Sequence, residues 1–342
     1  MLITVSEILF ITKGIPLFVG SSVTEPISFT IKSIAGQSYS NIEIILCNDG
    51  STDHTLSILQ EEAEKDGRII ILNDSNHGPA HARNEGINKA RGKYLVFVDA
   101  DDSVSPQYVL NMLEQAEDKD CDFVISGYRR CYADGSEHSV IPKSGVYDGD
   151  RFPTVLGDLF RNSLIQGPCW KLFRTDTVKE NHVRFKEEWR LGEDAWFVYS
   201  YLAHFKKAAL ADQANYSYIM RSNDSLSRIP SMEKIVNNIA LTKKLLTIPA
   251  FESASDCFGE GLCGNYTDYC EGVLRANLSF QERLCQIKAA NDHMRRFKWF
   301  FEYKENHAVR KLYRFLIKHN FAAAIYFLTF ARLKSKRVIR IG

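Results

Sequence analysis

The 342-residue sequence lacks a long apolar run and lacks a cysteine pattern typical of a metal site. Its eight cysteines are scattered. No two of them are separated by two intervening residues, the Cys-x2-Cys spacing that structural zinc sites use. Such thiols are usually buried and reduced, which indicates a reducing compartment. The late apolar run 321–331 is too short to cross a bilayer, and the early run 8–11 is interrupted by Lys13 and has no basic leader. We therefore expect a cytoplasmic protein.

The net charge of the chain is close to zero, but the charged residues are unevenly distributed along it. The net charge is +1, yet residues 283–342 hold 15 Lys and Arg against three acidic residues, a net charge of +12, which leaves −11 for residues 1–282. Aromatic residues alternate with these bases. That combination binds single-stranded nucleic acid in some proteins, but on helices it more often packs a core and faces anionic lipid. Because no nucleic-acid fold signature accompanies it, we expect no nucleic acid and a possible contact with an anionic membrane surface, peripheral to the inner face of the membrane.

Apolar runs and helical patterns alternate through the first part of the chain. Strands are predicted at 42–47, 69–72 and 94–98, each followed by a helical pattern, and the first strand is predicted at either 8–11 or 15–19. This alternation predicts an α/β fold with a mostly parallel sheet and flanking helices in residues 1–230. Residues 231–342 are predicted as a separate basic, aromatic-rich helical region, with helices at 234–246, 252–277, 281–301, 307–319 and 321–334.

The most informative stretch is 94–102, where an apolar strand ends in three carboxylates. Asp99 and Asp101 stand two positions apart at the carboxyl end of this strand, the edge at which open α/β sheets bind ligands. Carboxylate oxygens in that arrangement suit Mg²⁺ or Mn²⁺. The alternative is an ordinary helix start, with Asp102 or Ser103 as the cap ahead of Ser105 and Pro106.

Other polar residues stand at element ends. Asp49 follows the strand at 42–47 and precedes Gly50, which permits a tight turn and suits a carboxylate that binds a sugar hydroxyl or a base. Arg83 and Asn84 lie near the start of the predicted helix 79–90, where free backbone N–H groups favour anions. Glu193 and Asp194 open an apolar helix that extends through Leu202. They are either ordinary acids of a first helical turn or include a general base at the mouth of a pocket.

These motifs, in this order, resemble those of family 2 glycosyltransferases of the GT-A fold. The resemblance covers roughly residues 27–225 and rests on four stretches: 41–53 (NIEIILCNDGSTD), 76–86 (NHGPAHARNEG), 97–102 (FVDADD) and 192–194 (GED). One departure concerns the first strand, which in the family usually ends in Pro-x-Tyr-Asn. The nearest counterpart here is 15–19 (IPLFV), with Phe and Val in place of Tyr and Asn.

The resemblance implies a fold, a reaction and a set of roles. It implies an inverting glycosyltransferase of the bacterial surface-polysaccharide or glycoprotein-glycan type, which moves a hexose or N-acetylhexosamine from a UDP-sugar to a hydroxyl of a lipid-linked or protein-linked glycan acceptor, assisted by Mn²⁺ or Mg²⁺. By position, Asp101 would be the direct metal ligand with Asp99, and Asp194 the general base. The nucleotide-sugar site would comprise Asp49, Gly78, Arg83, Asn84, Asp99 and Glu193.

Two other functions remain open from the sequence. A sugar nucleotidyltransferase would use similar acids at strand ends, but no Gly-rich phosphate loop with a basic residue follows the first strand. A non-catalytic partner subunit with a GT-A-like fold would explain the altered first strand, whereas the retained acids Asp49, Asp99, Asp101 and Asp194 oppose it.

Overall fold

The computed structural model describes residues 7–12, 24–220 and 231–338, with side chains described from residue 27 and up to residue 335. Two compact units make up the chain, Met1–Ser222 and Asn223–Gly342, here called the N-terminal and C-terminal units.

An eight-stranded sheet forms the centre of the N-terminal unit. Four strands form its parallel half in the order β3-β2-β1-β4: β1 (Glu7–Thr12), β2 (Ile42–Asp49), β3 (Ile69–Asp74) and β4 (Tyr94–Asp99). Of the two candidates for a first strand, the structure has the earlier one, which lies between β2 and β4. The later candidate at 15–19 lies outside the described residues.

The other half of the sheet is mixed. β10 (Lys171–Arg174) runs antiparallel to β4 and to β6 (Phe123–Ile125), and β11 (Lys207–Leu210) and the edge strand β9 (Gly145–Asp148) complete the order. A second sheet has the order β5-β12-β7-β8, from β5 (Ser103–Val104), β12 (Tyr216–Met220), β7 (Tyr128–Tyr132) and β8 (Glu137–Val140). The predicted α/β class is confirmed, and β7 and β8 form an antiparallel hairpin.

Within the described residues of this unit, seven helices flank these sheets: α1 (Thr24–Ala35), α2 (Thr55–Lys65), α3 (Pro79–Lys89), α4 (Tyr108–Asp118), α5 (Pro153–Arg161), α6 (Thr175–Glu180) and α7 (Glu193–Tyr201). The predicted helix start at Ser105 is wrong. Ser103 and Val104 pair with Tyr216 and Ser217 as a strand, so α4 begins at Tyr108, and neither Asp102 nor Ser103 caps it.

The C-terminal unit is helical, as expected. Its helices are α8 (Met232–Leu246), α9 (Ser255–Arg275), α10 (Phe280–Arg295), α11 (Ala308–Lys318) and α12 (Ala322–Val338), with short 3-10 helices at Pro249–Ala254 and Lys298–Phe301. The single helix predicted at 281–301 is therefore two. Tyr266, Phe300 and Tyr313 lie in its buried core, whereas Phe315 and Phe327 are exposed. No helix in the described part of the chain is both long and apolar enough to span a membrane.

Candidate active site

The carboxyl ends of the parallel strands bring the predicted acids to one edge of the sheet. Thr12 at the end of β1 is level with Cys47 in β2 and with Asp99 in β4, and Asp49 follows Cys47 by two residues. Because parallel strands end at the same edge, Asp49 and Asp99 share this edge although 50 positions separate them.

Arg83 joins this edge to the start of α7. Its guanidinium donates from Nη2 to Oδ1 of Asp99 at 3.0 Å and from Nη1 to Oδ1 of Asp194 at 2.9 Å. Nη1 also lies 3.8 Å from Oε1 of Glu193. The face of Phe185 supports the guanidinium, with 5.3 Å between Cζ and the ring centre. Arg83, Asp99, Glu193 and Asp194, all predicted site residues, therefore form one contiguous cluster.

Burial and the positive charge of Arg83, which two acids share, determine the pKa values in this cluster. Glu193 is 9% exposed, and desolvation together with the neighbouring charge of Asp194 raises its pKa to about 8. Desolvation also raises the pKa of Asp194, an effect that the charge of Arg83 opposes. Burial acts to lower the pKa of Arg83, but the surrounding carboxylates outweigh it, so this side chain stays charged. At neutral pH the cluster therefore holds a neutral Glu193 beside an Arg83 shared by two acids.

The three acids at the end of β4 have different environments. Asp101 is exposed, and 33% of the Asp99 side chain is exposed. Asp102 is buried, accepting hydrogen bonds from the Tyr216 hydroxyl at 2.6 Å and the Ile219 backbone N–H at 2.9 Å. Burial, with the charges of Asp99 and Asp101, raises the pKa of Asp102 well above its usual range. Asp102 thus ties the end of β4 to β12, a role that the sequence did not reveal.

Asp49 lies beneath the loop that leads into α3. Its two carboxylate oxygens accept hydrogen bonds from the backbone N–H groups of His77 at 2.7 Å and Gly78 at 2.8 Å. The turn that follows Asp49 requires glycine, since Gly50 has φ +65° and a Cβ there would lie 2.5 Å from the backbone nitrogen of Asn76 in this loop. Asp49 therefore holds the Gly78 loop in place, in addition to any contact with a ligand.

Asn84 has a bracing role in the structure. Its side-chain amide donates to the Phe185 carbonyl at 3.0 Å and to Oε1 of Glu187 at 2.8 Å, while its oxygen accepts from the Phe185 backbone N–H at 2.9 Å. Asn84 thus fixes the segment that carries Phe185 beneath Arg83.

Lys171 is a further residue that sequence reasoning missed. The sequence indicated only a base flanking an apolar segment, but Lys171 is fully buried, and its Nζ donates to the Gly167 carbonyl at 2.5 Å. Burial lowers its pKa to about 7. The only signal in the sequence was its position inside the run 170–173 (WKLF), where a strand would bury it.

Comparisons with known proteins agree with this geometry. The sequence profile of glycosyl transferase family 2 matches residues 23–180. The chain is 32% identical over 198 residues to the putative glycosyltransferase EpsH of Bacillus subtilis, covering 57% of this chain and 56% of that protein. It is 28% identical over 223 residues to the succinoglycan biosynthesis protein ExoO of Rhizobium meliloti, covering 63% of each. The matches thus span somewhat more than half the length of these relatives.

A solved structure shows the same fold. The crystal structure of Staphylococcus aureus TarS residues 1–349 in complex with UDP-GlcNAc has a TM-score of 0.73 over 97% of this chain and 92% of that one, at 17% identity. This similarity identifies the fold as GT-A. The matched profile covers residues 23–180, so this part of the chain is similar to glycosyl transferase family 2.

Proposed function

We propose that this chain is an inverting glycosyltransferase that moves a hexose or N-acetylhexosamine from a UDP-sugar to a hydroxyl of a glycan acceptor. The observation that carries the proposal is the bridge from Asp99 through Arg83 to Asp194. It connects the sheet edge, where a nucleotide diphosphate would bind, to a helix start that offers a carboxylate. The UDP-GlcNAc complex of TarS supports a UDP-sugar as donor, and the name of ExoO supports a polysaccharide acceptor.

The end of β4 fits a hard divalent cation. Asp101 is exposed and Asp99 is partly exposed, and Mg²⁺ and Mn²⁺ are commonly held by one or two carboxylates together with substrate phosphates. Asp101 would be the direct ligand and Asp99 the second. When bound, such an ion neutralises the charge that develops on the leaving diphosphate.

The residues of the chain supply the remaining chemistry. An acceptor hydroxyl is a weak nucleophile near neutral pH, so a carboxylate must accept its proton during attack. We assign this role to Asp194, because 37% of its side chain is exposed and Arg83 favours its ionised form. Glu193, protonated at neutral pH, can donate a hydrogen bond to the donor sugar. Asp49, the Gly78 loop and Asn84 would shape the nucleotide site.

Turnover of UDP-sugars tests this proposal. Purified protein is incubated with a panel of UDP-sugars, with Mn²⁺, Mg²⁺ or EDTA, and UDP release is measured with and without glycan acceptors. We expect metal-dependent UDP release with at least one donor. Release of pyrophosphate from a nucleoside triphosphate and a sugar phosphate would instead identify a nucleotidyltransferase, and no turnover with any donor would favour a non-catalytic partner.

The variant Asp194→Asn tests the assignment of the base. We expect turnover to fall by about 10²–10⁴-fold, the usual effect of losing a general base, while the Kd for the UDP-sugar stays the same. Asp158→Asn is the matched control, because Asp158 lies in an exposed ion pair with Arg161. Unchanged turnover in Asp194→Asn would remove Asp194 from the mechanism.

We also propose that the C-terminal unit contacts an anionic membrane surface. Val309, Leu312 and Phe315 form an exposed apolar stripe on α11, and Lys311 and Lys318 are exposed on the same helix. Each Lys or Arg near an anionic surface contributes about 1 kcal/mol, so a few of the bases in this unit are sufficient. This would place the protein at the inner face of the cell membrane, near a lipid-linked acceptor.

Vesicle sedimentation at low salt tests this surface. We expect anionic vesicles to retain the wild-type chain, and Phe315→Ser to reduce retention. Phe29→Ser is the matched control, because Phe29 is 62% exposed in the N-terminal unit. Equal retention of wild type and Phe315→Ser, or no retention of wild type, would contradict the proposal.

A further inference from the structure

A second group of potential metal ligands lies where β3 leads into α3. Asp74 ends β3, His77 lies in the loop, and His81 lies in the first turn of α3. One ligand atom from each of these residues lies within 4.8 Å of the other two, and no other group of three His, Cys, Asp or Glu side chains in the described part of the chain does this. Nε2 of His81 is 3.4 Å from Oδ2 of Asp74, and Nδ1 of His77 is 3.9 Å from the same oxygen.

His81 has the surroundings of a metal-binding histidine. Its Nδ1 lies 3.0 Å from Oε2 of Glu187, and the other oxygen of Glu187 accepts a hydrogen bond from Asn84. A carboxylate at Nδ1 places a proton on that nitrogen and directs Nε2 towards the remaining ligands. Metal-binding histidines commonly have this carboxylate partner, which fixes the ring and increases its basicity. Glu187 is itself held by Asn84, so the orientation of His81 is set before any ion binds.

The donor set selects the class of ion. Two imidazole nitrogens and one carboxylate oxygen suit Zn²⁺ and similar transition ions, whereas Mg²⁺ and Ca²⁺ take oxygen ligands. Zinc with three protein ligands keeps a water as its fourth. Metal–ligand distances of about 2.0–2.1 Å in a tetrahedral site place the ligand atoms about 3.3 Å apart. The His81–Asp74 distance, 3.4 Å, is close to this value, and the side chain of His77, which is 49% exposed, can turn towards the other two ligands.

We propose that Asp74, His77 and His81 bind one Zn²⁺ ion, at a site separate from the cation expected at Asp99 and Asp101. The ion would connect the end of β3 to the first turn of α3 across the loop between them. That loop supplies the two backbone N–H groups, from His77 and Gly78, that donate to Asp49. A bound zinc ion would therefore reduce the mobility of the loop that donates these hydrogen bonds to Asp49. It would take no part in glycosyl transfer.

Calorimetric titration of the whole chain with Zn²⁺ alone tests this site. The protein is freed of any histidine tag and of metal, and no nucleotide is added. We expect one ion per chain with a Kd below about 10 µM. His77→Ala and His81→Ala should each weaken binding by at least tenfold, and Glu187→Gln by about 10–100-fold, the usual effect of removing the partner of a metal-binding histidine.

Two matched variants distinguish this site from zinc binding elsewhere on the chain. His138→Ala removes an exposed histidine on β8 outside the cluster, and Asp101→Ala removes the ligand expected for the other cation. Both should bind Zn²⁺ like the wild type. Binding that is absent in the wild type, unchanged in His77→Ala and His81→Ala, or lost in Asp101→Ala would overturn the proposal.

Cobalt spectroscopy makes the test independent of the heat of binding. Co²⁺ in a four-coordinate site absorbs visible light strongly, so the wild-type complex should show this band and His81→Ala should not. Thermal unfolding of each variant without metal shows whether it is folded. A folded His81→Ala that keeps the intense band would place the ion elsewhere and contradict the assignment.

Discussion

Replacing Arg83 by methionine tests the central ion-pair cluster. Methionine keeps much of the side-chain volume but removes both hydrogen bonds, to Asp99 at 3.0 Å and to Asp194 at 2.9 Å. With charge centres about 4 Å apart and an effective dielectric constant of about 20, the attraction between Arg83 and Asp194 is about 4 kcal/mol before solvent screening. Since 37% of the Asp194 side chain is exposed, screening reduces this attraction, but its loss should still raise the pKa of Asp194.

The pH dependence of turnover measures this shift. The proposed base acts only when ionised, so kcat/KM falls on the acid side of the pKa of Asp194. In Arg83→Met this acid limb should move to higher pH, because the charge that lowers the pKa of Asp194 is gone. Arg83→Lys keeps the positive charge, so the acid limb of its kcat/KM profile should move less than in Arg83→Met. Some shift is still expected, because lysine lacks the planar guanidinium that reaches both acids.

Unfolding in urea supplies the second measurement. Removing one partner of a fully buried ion pair costs about 3–5 kcal/mol. Since both acids here are partly exposed, Arg83→Met should lose less than that, roughly 1–3 kcal/mol of the free energy of unfolding. Arg161→Met is the matched control. Because its pair with Asp158 is exposed, it should lose less than about 1 kcal/mol. If Arg83→Met loses stability while the acid limb stays in place, the ion pair is real but Asp194 is not the base. If neither changes, the electrostatic argument is wrong.

Three further predictions concern the metal and the buried titratable groups. Asp101→Ala should abolish metal-dependent binding of the UDP-sugar, measured by calorimetry with and without Mn²⁺, and retained metal dependence would refute the assignment. The pKa of Glu193 is raised from 4.5 to about 8, so the folded state binds more protons between these values and stability falls as pH rises through them. Glu193→Gln should flatten urea-unfolding stability across this range, and an unchanged slope would contradict the shift. The pKa of Lys171 is lowered from 10.5 to about 7, so the unfolded state binds more protons between these values and stability rises with pH. Lys171→Met should remove that rise, and a persistent rise would mean that Lys171 is not its source.

Local patterns predicted much of the sheet. The apolar runs that became β2, β3 and β4 are long enough to indicate buried strands, and their regular alternation with helical patterns indicates parallel pairing. The start of α4 was not predictable in this way. Its position depends on the pairing of β5 with β12, more than 110 positions away, and Ser103 and Val104 carry no local sign of it.

The candidate site likewise combines features that the sequence predicted with features that it did not. Asp49 and Asp99 could be placed at one sheet edge because strand ends are visible in the sequence. Which of three adjacent acids turns inward could not be predicted, since the partners of Asp102 are Tyr216 and Ile219 on a distant strand. The burial of Lys171 could not be predicted, because a lysine at a strand end is usually exposed and its burial depends on the surrounding tertiary structure.

The residue type at position 83 follows from the geometry of the cluster. A strand end and a helix start each present a carboxylate, and without a cation between them Asp99 and Asp194 would repel each other. A single ammonium group would approach one acid at the expense of the other. The planar guanidinium of Arg83 instead directs Nη1 to Asp194 and Nη2 to Asp99, so that one charge serves both. Its aromatic support depends in turn on Asn84, which fixes the Phe185 backbone. Residues 83 and 84 therefore determine how closely the two halves of the proposed site approach, and a change at either should alter the distance between Asp99 and Asp194.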